Sequence, residues 1–185
     1  MKQETIIHLF ITNACRHNCP LCCNKLYNID EIPVVTVELL KKATTVCLTG
    51  GEPFSINPMI LGPFIRNLRN QYKNIENLYI YTSGYDLMIA KLMLPSLIKE
   101  GYIDGINVAP KDNENWNSFY SALLTHPDIF RGKSNRLYVF DEQRSKFDNL
   151  SISFKDVNIE VLGRKWQQTF NTPDNEHFVR LPILF

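Results

Sequence analysis

Five short apolar runs, rich in β-branched and aromatic residues, alternate along this chain with segments of helical periodicity. The runs cover residues 5–11, 44–49, 77–82, 103–109 and 136–140. Short runs of this composition predict buried β-strands. Because two parallel strands must be joined by a crossover of about a dozen residues or more, the helical segments between the runs predict βα units. We therefore expect an α/β fold built on a parallel sheet.

The segments between the predicted strands carry helix signals. Asn57 followed by Pro58 predicts the start of a helix, because proline is well accommodated at the first helical position. Pro95 is expected to kink or divide a later helical segment over residues 87–101, since proline lacks the N–H that a helix interior needs. Another helix is predicted over residues 116–124.

The alternation loosens after residue 140. Residues 150–154 and 157–163 are apolar in alternation, which predicts either a hairpin or one bent final strand. The tail, residues 178–185, is apolar enough to pack against the rest of the chain.

Length and charge limit the classes of protein to which this chain can belong. It has 185 residues with 20 Lys+Arg and 19 Asp+Glu, which is not the basic balance of a nucleic-acid-binding protein. We see no signal peptide and no stretch near the roughly 20 apolar residues of a membrane span. We expect one cytoplasmic domain over residues 1–185, with the core βα units in residues 1–140.

Four of the five cysteines lie within the sequence CRHNCPLCC, residues 15–23. In a reducing compartment such clustering indicates metal or redox chemistry rather than disulfides. Four-iron clusters are held by thiolates, and three protein thiolates leave one iron able to bind a cofactor or substrate. The alternative is a tetrahedral zinc site. Its ligands would be Cys15, Cys19, Cys22 and either Cys23 or His17.

A glycine-rich loop follows the second predicted strand. Gly50, Gly51, Glu52 and Pro53 come directly after residues 44–49. This loop and the cysteine loop both leave the carboxyl ends of neighbouring parallel strands, where α/β proteins place their active sites. We therefore expect the two loops to lie side by side.

The order of the two motifs, Cys-x3-Cys-x2-Cys after one strand and GGEP after the next, resembles the radical S-adenosylmethionine (radical SAM) enzymes. The resemblance implies a partial βα-barrel of about five to six parallel strands with outer helices, closed by strands and a tail in residues 141–185. It implies that Cys15, Cys19 and Cys22 bind a [4Fe-4S] cluster. In that family a reductant such as flavodoxin or ferredoxin supplies an electron that cleaves S-adenosylmethionine, and the resulting 5′-deoxyadenosyl radical abstracts hydrogen from a substrate.

The resemblance also implies contacts with S-adenosylmethionine. Residues Gly50 to Pro53 would meet its amino group, with the glycines allowing close approach of backbone carbonyls and Glu52 adding an acceptor. Leu21 stands where many members of the family carry an aromatic residue near adenine. Polar contacts to the ribose and the methionine carboxylate are implied for Thr82, Ser83 and Asn107. Ordinary turn and backbone hydrogen bonding is the alternative role of these three side chains.

The remaining cysteine and histidine positions have simpler interpretations. Cys47 and His8 lie inside predicted strands and are expected to be core residues. Cys23 is expected to be a spare thiol or a packing residue. The sequence assigns no side chain to the reaction on the substrate.

The substrate is predicted only by class. A short barrel without an added domain is similar to glycyl-radical enzyme activases, whose substrate is a protein, so we expect a macromolecular substrate or partner. The alternative is an enzyme like 7-carboxy-7-deazaguanine synthase, which acts on a small pterin. Outside this class, the chain would be an iron–sulfur electron carrier or a zinc-binding module.

Overall fold

A computed structural model describes residues 4–149, 154, 157–167 and 173–185 of the chain. Within these residues it contains one parallel sheet whose strands are β1 (Ile6–Thr12), β2 (Thr45–Gly50), β3 (Asn77–Thr82), β4 (Gly105–Val108), β5 (Asn135–Phe140), β6 (Ile159–Arg164) and β7 (Glu176–Arg180). The strands lie in the order β6-β5-β4-β3-β2-β1-β7. The α-helices are α1 (Val37–Lys42), α2 (Pro58–Gln71), α3 (Leu87–Ala90), α4 (Leu94–Lys99), α5 (Asn113–Thr125) and α6 (Arg144–Asp148). The predicted α/β class and parallel sheet are confirmed.

The order of the strands explains why the core lies on one side of the sheet. From β1 to β6 each strand pairs with the next one along the chain, and crossovers between parallel strands have one hand. The helices therefore collect on the same face of the sheet. Alternate strand residues such as Leu9, Leu48 and Ile80 pack there against helix residues such as Leu61 and Phe119, and all five are fully buried.

Local signals predicted the start of α2 and the break between α3 and α4. The Asn57 side chain accepts a hydrogen bond from the Met59 N–H at 2.9 Å, and Pro58 opens α2 as predicted. Pro95 lies in the first turn of α4, after α3 has ended at Ala90. The predicted division of this helical segment is therefore confirmed.

The last strands take positions that the sequence did not predict. β6 pairs with β5 in parallel, at the edge of the sheet. β7 pairs in parallel with β1 at the other edge of the sheet. The predicted strand over residues 150–154 falls outside the described residues, except for residue 154. Within the described residues β6 and β7 have no further strand partners, which leaves the sheet open and is compatible with a partial barrel.

The face of the sheet opposite the helices carries aromatic and polar side chains. Glu176 on β7 contacts His8 on β1 at 2.7 Å between Oε2 and Nε2. The His8 ring lies 5.9 Å from the Tyr81 ring on β3, which lies 6.3 Å from the Tyr138 ring on β5. Side chains from alternate strands that meet in one layer are typical of the interior of a βα-barrel. We call this face the inner face.

Among the described helices, none has the length and apolar character that crossing a lipid bilayer requires.

Candidate functional site

The cysteine loop and the glycine-rich loop lie side by side at the carboxyl edge of the sheet. The Gly51 N–H donates to the Thr12 carbonyl at 2.6 Å, and the Glu52 N–H donates to the Ala14 carbonyl at 2.9 Å. These bonds extend the pairing of β1 and β2 into the two loops. The predicted juxtaposition of the loops is therefore confirmed.

The two glycines make room for the backbone of the cysteine loop. A Cβ atom on Gly50 would lie 2.3 Å from the Thr12 carbonyl oxygen, and one on Gly51 would lie 2.1 Å from that of Ala14. Gly50 also has a φ of 128°, which disfavours other residues. The sequence assigned this absence of side chains to the approach of a cofactor. In the structure, the space beside both glycines is already filled by the chain itself.

The three predicted cluster ligands carry free thiols. Cys19 is buried, Cys22 is half-buried and Cys15 is exposed. The pKa of Cys19 is raised to about 12, mainly by burial, although the positive charge of Lys111 opposes the rise. Although Cys15 is exposed as a residue, partial desolvation of its thiol is the main reason why its pKa is raised. Thiols with raised pKa values stay protonated at neutral pH, and the positive charge of a bound metal would favour their ionised form.

His17 fixes the cysteine loop to the start of α5. Its Nε2 lies 2.5 Å from Asp112 Oδ2, and its Nδ1 lies 3.3 Å from Glu114 Oε2. The imidazole also stacks on the Tyr85 ring with centroids 4.5 Å apart. Burial raises the pKa of Asp112, but hydrogen bonds from the Asn115 N–H and from His17 outweigh it, and the pKa is lowered overall. These hydrogen bonds therefore keep Asp112 ionised while its side chain caps the N-terminus of α5.

His17, Cys19 and Asp112 form the arrangement that most resembles a single-metal site. One ligand atom of each residue lies within 4.8 Å of the other two. Both ring nitrogens of His17 already face carboxylates, however. A metal at this position would have to replace one of these ion pairs.

Glu52 joins the ends of β2 and β3 instead of facing an open pocket. Its side chain is 2% exposed. It accepts hydrogen bonds from Thr82 Oγ1 at 2.8 Å, from the Ser83 N–H at 2.9 Å and from Ser83 Oγ at 2.8 Å. Burial raises the pKa of Glu52, and these bonds oppose the rise only in part. The acceptor capacity that the sequence assigned to a cofactor is therefore largely used within the protein.

The other side chains predicted to contact a cofactor differ in whether their polar atoms are free to bind one. The hydroxyls of Thr82 and Ser83 donate to Glu52, so a cofactor would have to compete with that carboxylate. Asn107 is 1% exposed, and its Oδ1 has no hydrogen-bond partner in the described part of the chain. Leu21 is half-buried and Pro53 is buried. Of this set, Asn107 offers the clearest unused acceptor.

Sequence reasoning missed the polar groups of the inner face. His8 is half-buried and paired with Glu176, although it was expected to be a core residue. The Arg164 guanidinium lies 3.9 Å above the Tyr138 ring. The alternation of Arg136 and Tyr138 with the apolar Leu137 and Val139 along β5 is the signal that could have revealed this face. Cys47 is buried as predicted, and its pKa is raised to about 12 by burial.

Comparison with known proteins does not identify the chain. No model of a protein family matches it, and no curated protein matches it.

Proposed function

We propose that this protein is a radical SAM enzyme in which Cys15, Cys19 and Cys22 hold a [4Fe-4S] cluster. The observation that carries the proposal is the presence of three free thiols in one loop at the carboxyl edge of a parallel sheet, hydrogen-bonded to the glycine-rich loop. When bound, the cluster would supply the electron that cleaves S-adenosylmethionine and so starts hydrogen abstraction.

The residues around the thiols suit this group. A cluster with three protein thiolates keeps one iron for another ligand. The positive charge of Lys111 acts on Cys19, and a neighbouring cation favours the ionised thiol that a metal requires. The unpaired Oδ1 of Asn107 would accept a hydrogen bond from a hydroxyl or an ammonium group of S-adenosylmethionine.

The inner face bears on the class of substrate. The half-buried side chains of Tyr81, His8 and Glu176 place hydroxyl, imidazole and carboxylate groups in one layer, beside the buried Tyr138 ring. Such a surface can bind a small polar molecule through several hydrogen bonds. This observation favours the small-substrate alternative over a macromolecular substrate. Rapid, fully coupled turnover of a pterin would support it, whereas cleavage that rises only when a protein partner is added would support the macromolecular candidate.

Anaerobic reconstitution with iron and sulfide tests the cluster. We expect about four irons per chain. Cys15→Ala, Cys19→Ala and Cys22→Ala should each abolish the cluster, and Cys47→Ala is the matched control because this buried thiol lies within β2. With dithionite and S-adenosylmethionine, the wild type should form 5′-deoxyadenosine. A loaded cluster without this product would indicate an electron carrier instead.

A single zinc ion bound by His17, Cys19 and Asp112 is the second candidate, because their ligand atoms lie within 4.8 Å of one another. In that case His17→Ala and Asp112→Ala would release zinc, whereas Cys15→Ala and Cys22→Ala would retain it. The cluster proposal predicts that both of these cysteine variants lose the metal.

A further inference from the structure

Two buried polar atoms without hydrogen-bond partners lie on neighbouring strands of the inner face. Asn107 is 1% exposed, and because Ile106 and Val108 on either side of it pack in the apolar core, its side chain is directed to the inner face. Asn107 pairs with Arg136 of β5. Among the described residues, neither Asn107 Oδ1 nor Arg136 Nε has a hydrogen-bond partner. An acceptor and a donor left unpaired at one place indicate a site for a polar ligand.

A second guanidinium lies beside this pair. Arg164 of β6 stacks on the Tyr138 ring at 3.9 Å, and Tyr138 lies two residues after Arg136 on the same face of β5. A guanidinium stacked on a ring keeps its N–H donors at its edge, where they match two oxygens of a carboxylate or phosphate. Within the described part of the chain, Arg164 has no ion pair, whereas Arg136 Nε faces Glu160 Oε2 at 3.5 Å. Two guanidiniums and one carboxylate leave this part of the inner face with a net positive charge.

The order of the strands places both arginines beyond the proposed cofactor contacts. The cysteine loop follows β1, the glycine-rich loop follows β2, and Asn107 lies on β4. β5 and β6 come next in the sheet, on the side of β4 away from both loops. Because neighbouring strands are about 4.8 Å apart, a group bound by Arg136 and Arg164 is adjacent to a cofactor held at Asn107 and does not occupy its place.

We propose that Arg136 and Arg164 bind the carboxylate or phosphate group of a small anionic substrate, beside S-adenosylmethionine. This inference rests on the proposed function and names the charge of its substrate. Guanidinium groups bind both oxyanions through paired hydrogen bonds. The anion supplies the acceptor that Arg136 Nε lacks and the negative charge that Glu160 balances only in part.

Fluorine NMR of three small probes tests the site in the reduced, metal-free protein. 4-Fluorobenzoate carries a carboxylate and monofluorophosphate is a phosphate. 4-Fluorobenzyl alcohol has the ring of the first probe without its charge. We expect the better of the two anions to bind at least tenfold more tightly than the alcohol, because hydrogen bonds to charged groups are the stronger ones. That anion identifies the oxyanion of the substrate.

Substitutions of the two arginines test which residues bind the anion. Arg164→Gln and Arg136→Gln should each weaken binding about tenfold, because each removes a charged donor. Arg164→Lys keeps the charge but loses the paired donors, so its loss should be smaller. Glu160→Gln should tighten binding about twofold to fivefold, because it removes the carboxylate that competes for Arg136.

Arg131→Gln is the matched control and should bind the anion as the wild type does. Arg131 is exposed and precedes β5, so it lies at the opposite edge of the sheet. Circular dichroism establishes that each variant is folded. Because Arg164 is exposed, its variants test the site even if Arg136→Gln does not fold.

The opposite results overturn the inference. If neither anion binds more tightly than the alcohol, or if Arg164→Gln binds the anion as Arg131→Gln does, the inference is wrong and the proposed function still stands. S-adenosylmethionine added to the reconstituted protein should leave the anion bound. If it displaces the anion, the arginines bind the carboxylate of the cofactor instead. If the wild type holds no four-iron cluster, the proposed function fails, and a bound anion is then a ligand but not the substrate of a radical reaction.

Discussion

Replacing Glu52 with alanine should destabilise the protein, whether or not a cofactor is bound. The carboxylate of Glu52 is 2% exposed and accepts from the Ser83 N–H at 2.9 Å, so its loss leaves a backbone donor unpaired. An unpaired buried donor costs about 1–3 kcal/mol. The hydroxyls of Thr82 and Ser83 also lose their acceptor, at about 0.5–1.5 kcal/mol each. Removing a buried charge offsets part of this cost, so we expect a loss of about 3 kcal/mol.

Equilibrium unfolding of the reduced, metal-free protein in urea measures this loss. Glu52→Gln should lower the free energy of unfolding by less, about 1–2 kcal/mol. It keeps one acceptor oxygen but turns an N–H2 group toward the donors that the carboxylate accepted from. Glu76→Ala is the control, since Glu76 is exposed and surface changes usually stay within about 0.5 kcal/mol. If Glu52→Ala unfolds at the same urea concentration as Glu76→Ala, the carboxylate does not join the two strands as described.

The same residue predicts a dependence on pH. Burial raises the pKa of Glu52 in the folded state above its ordinary value, so the folded protein holds this proton more tightly than the unfolded chain does. Stability therefore falls as pH rises from the unfolded pKa through the raised folded one, and recovers on acidification. Glu52→Gln cannot titrate. The stability of the wild type relative to Glu52→Gln should consequently increase as the pH is lowered through this window, and a constant difference would contradict the raised pKa.

Three further predictions follow from single contacts. Asp104→Ala should cost about 2–3 kcal/mol, because this buried carboxylate accepts from the Leu78 N–H at 2.8 Å; urea unfolding would show it, and an unchanged midpoint would contradict it. Gly51→Ala should abolish iron binding, because its Cβ would lie 2.1 Å from the Ala14 carbonyl oxygen and displace the cysteine loop; full iron loading would refute this. His17→Ala should speed proteolysis of the cysteine loop by removing both ion pairs of its imidazole, and an unchanged cleavage rate would show that the loop is held by other contacts.

The sequence by itself determined which elements form and which loops meet. Apolar runs and helix caps are local, so β3 at Asn77–Thr82 and the start of α2 at Pro58 could be predicted from a few neighbouring residues. The parallel arrangement then brought the cysteine loop next to Gly51, because successive parallel strands end at the same edge of a sheet. The candidate cluster ligands come from the resemblance of the two sequence motifs to a known family, and needed no knowledge of the fold.

Only the tertiary structure decided what the side chains at this edge do. Glu52 bonds to Ser83, 31 residues away, and His8 pairs with Glu176, 168 residues away, so no local pattern contains either contact. β7 joins β1 instead of β6, because hydrogen bonding between strands is similar at both edges of a sheet and the choice rests on packing. The place of Asn115 beside Cys19 likewise depends on how α5 docks against the cysteine loop. Long-range contacts of this kind depend on the packing of the whole fold, so they could not be predicted from the sequence alone.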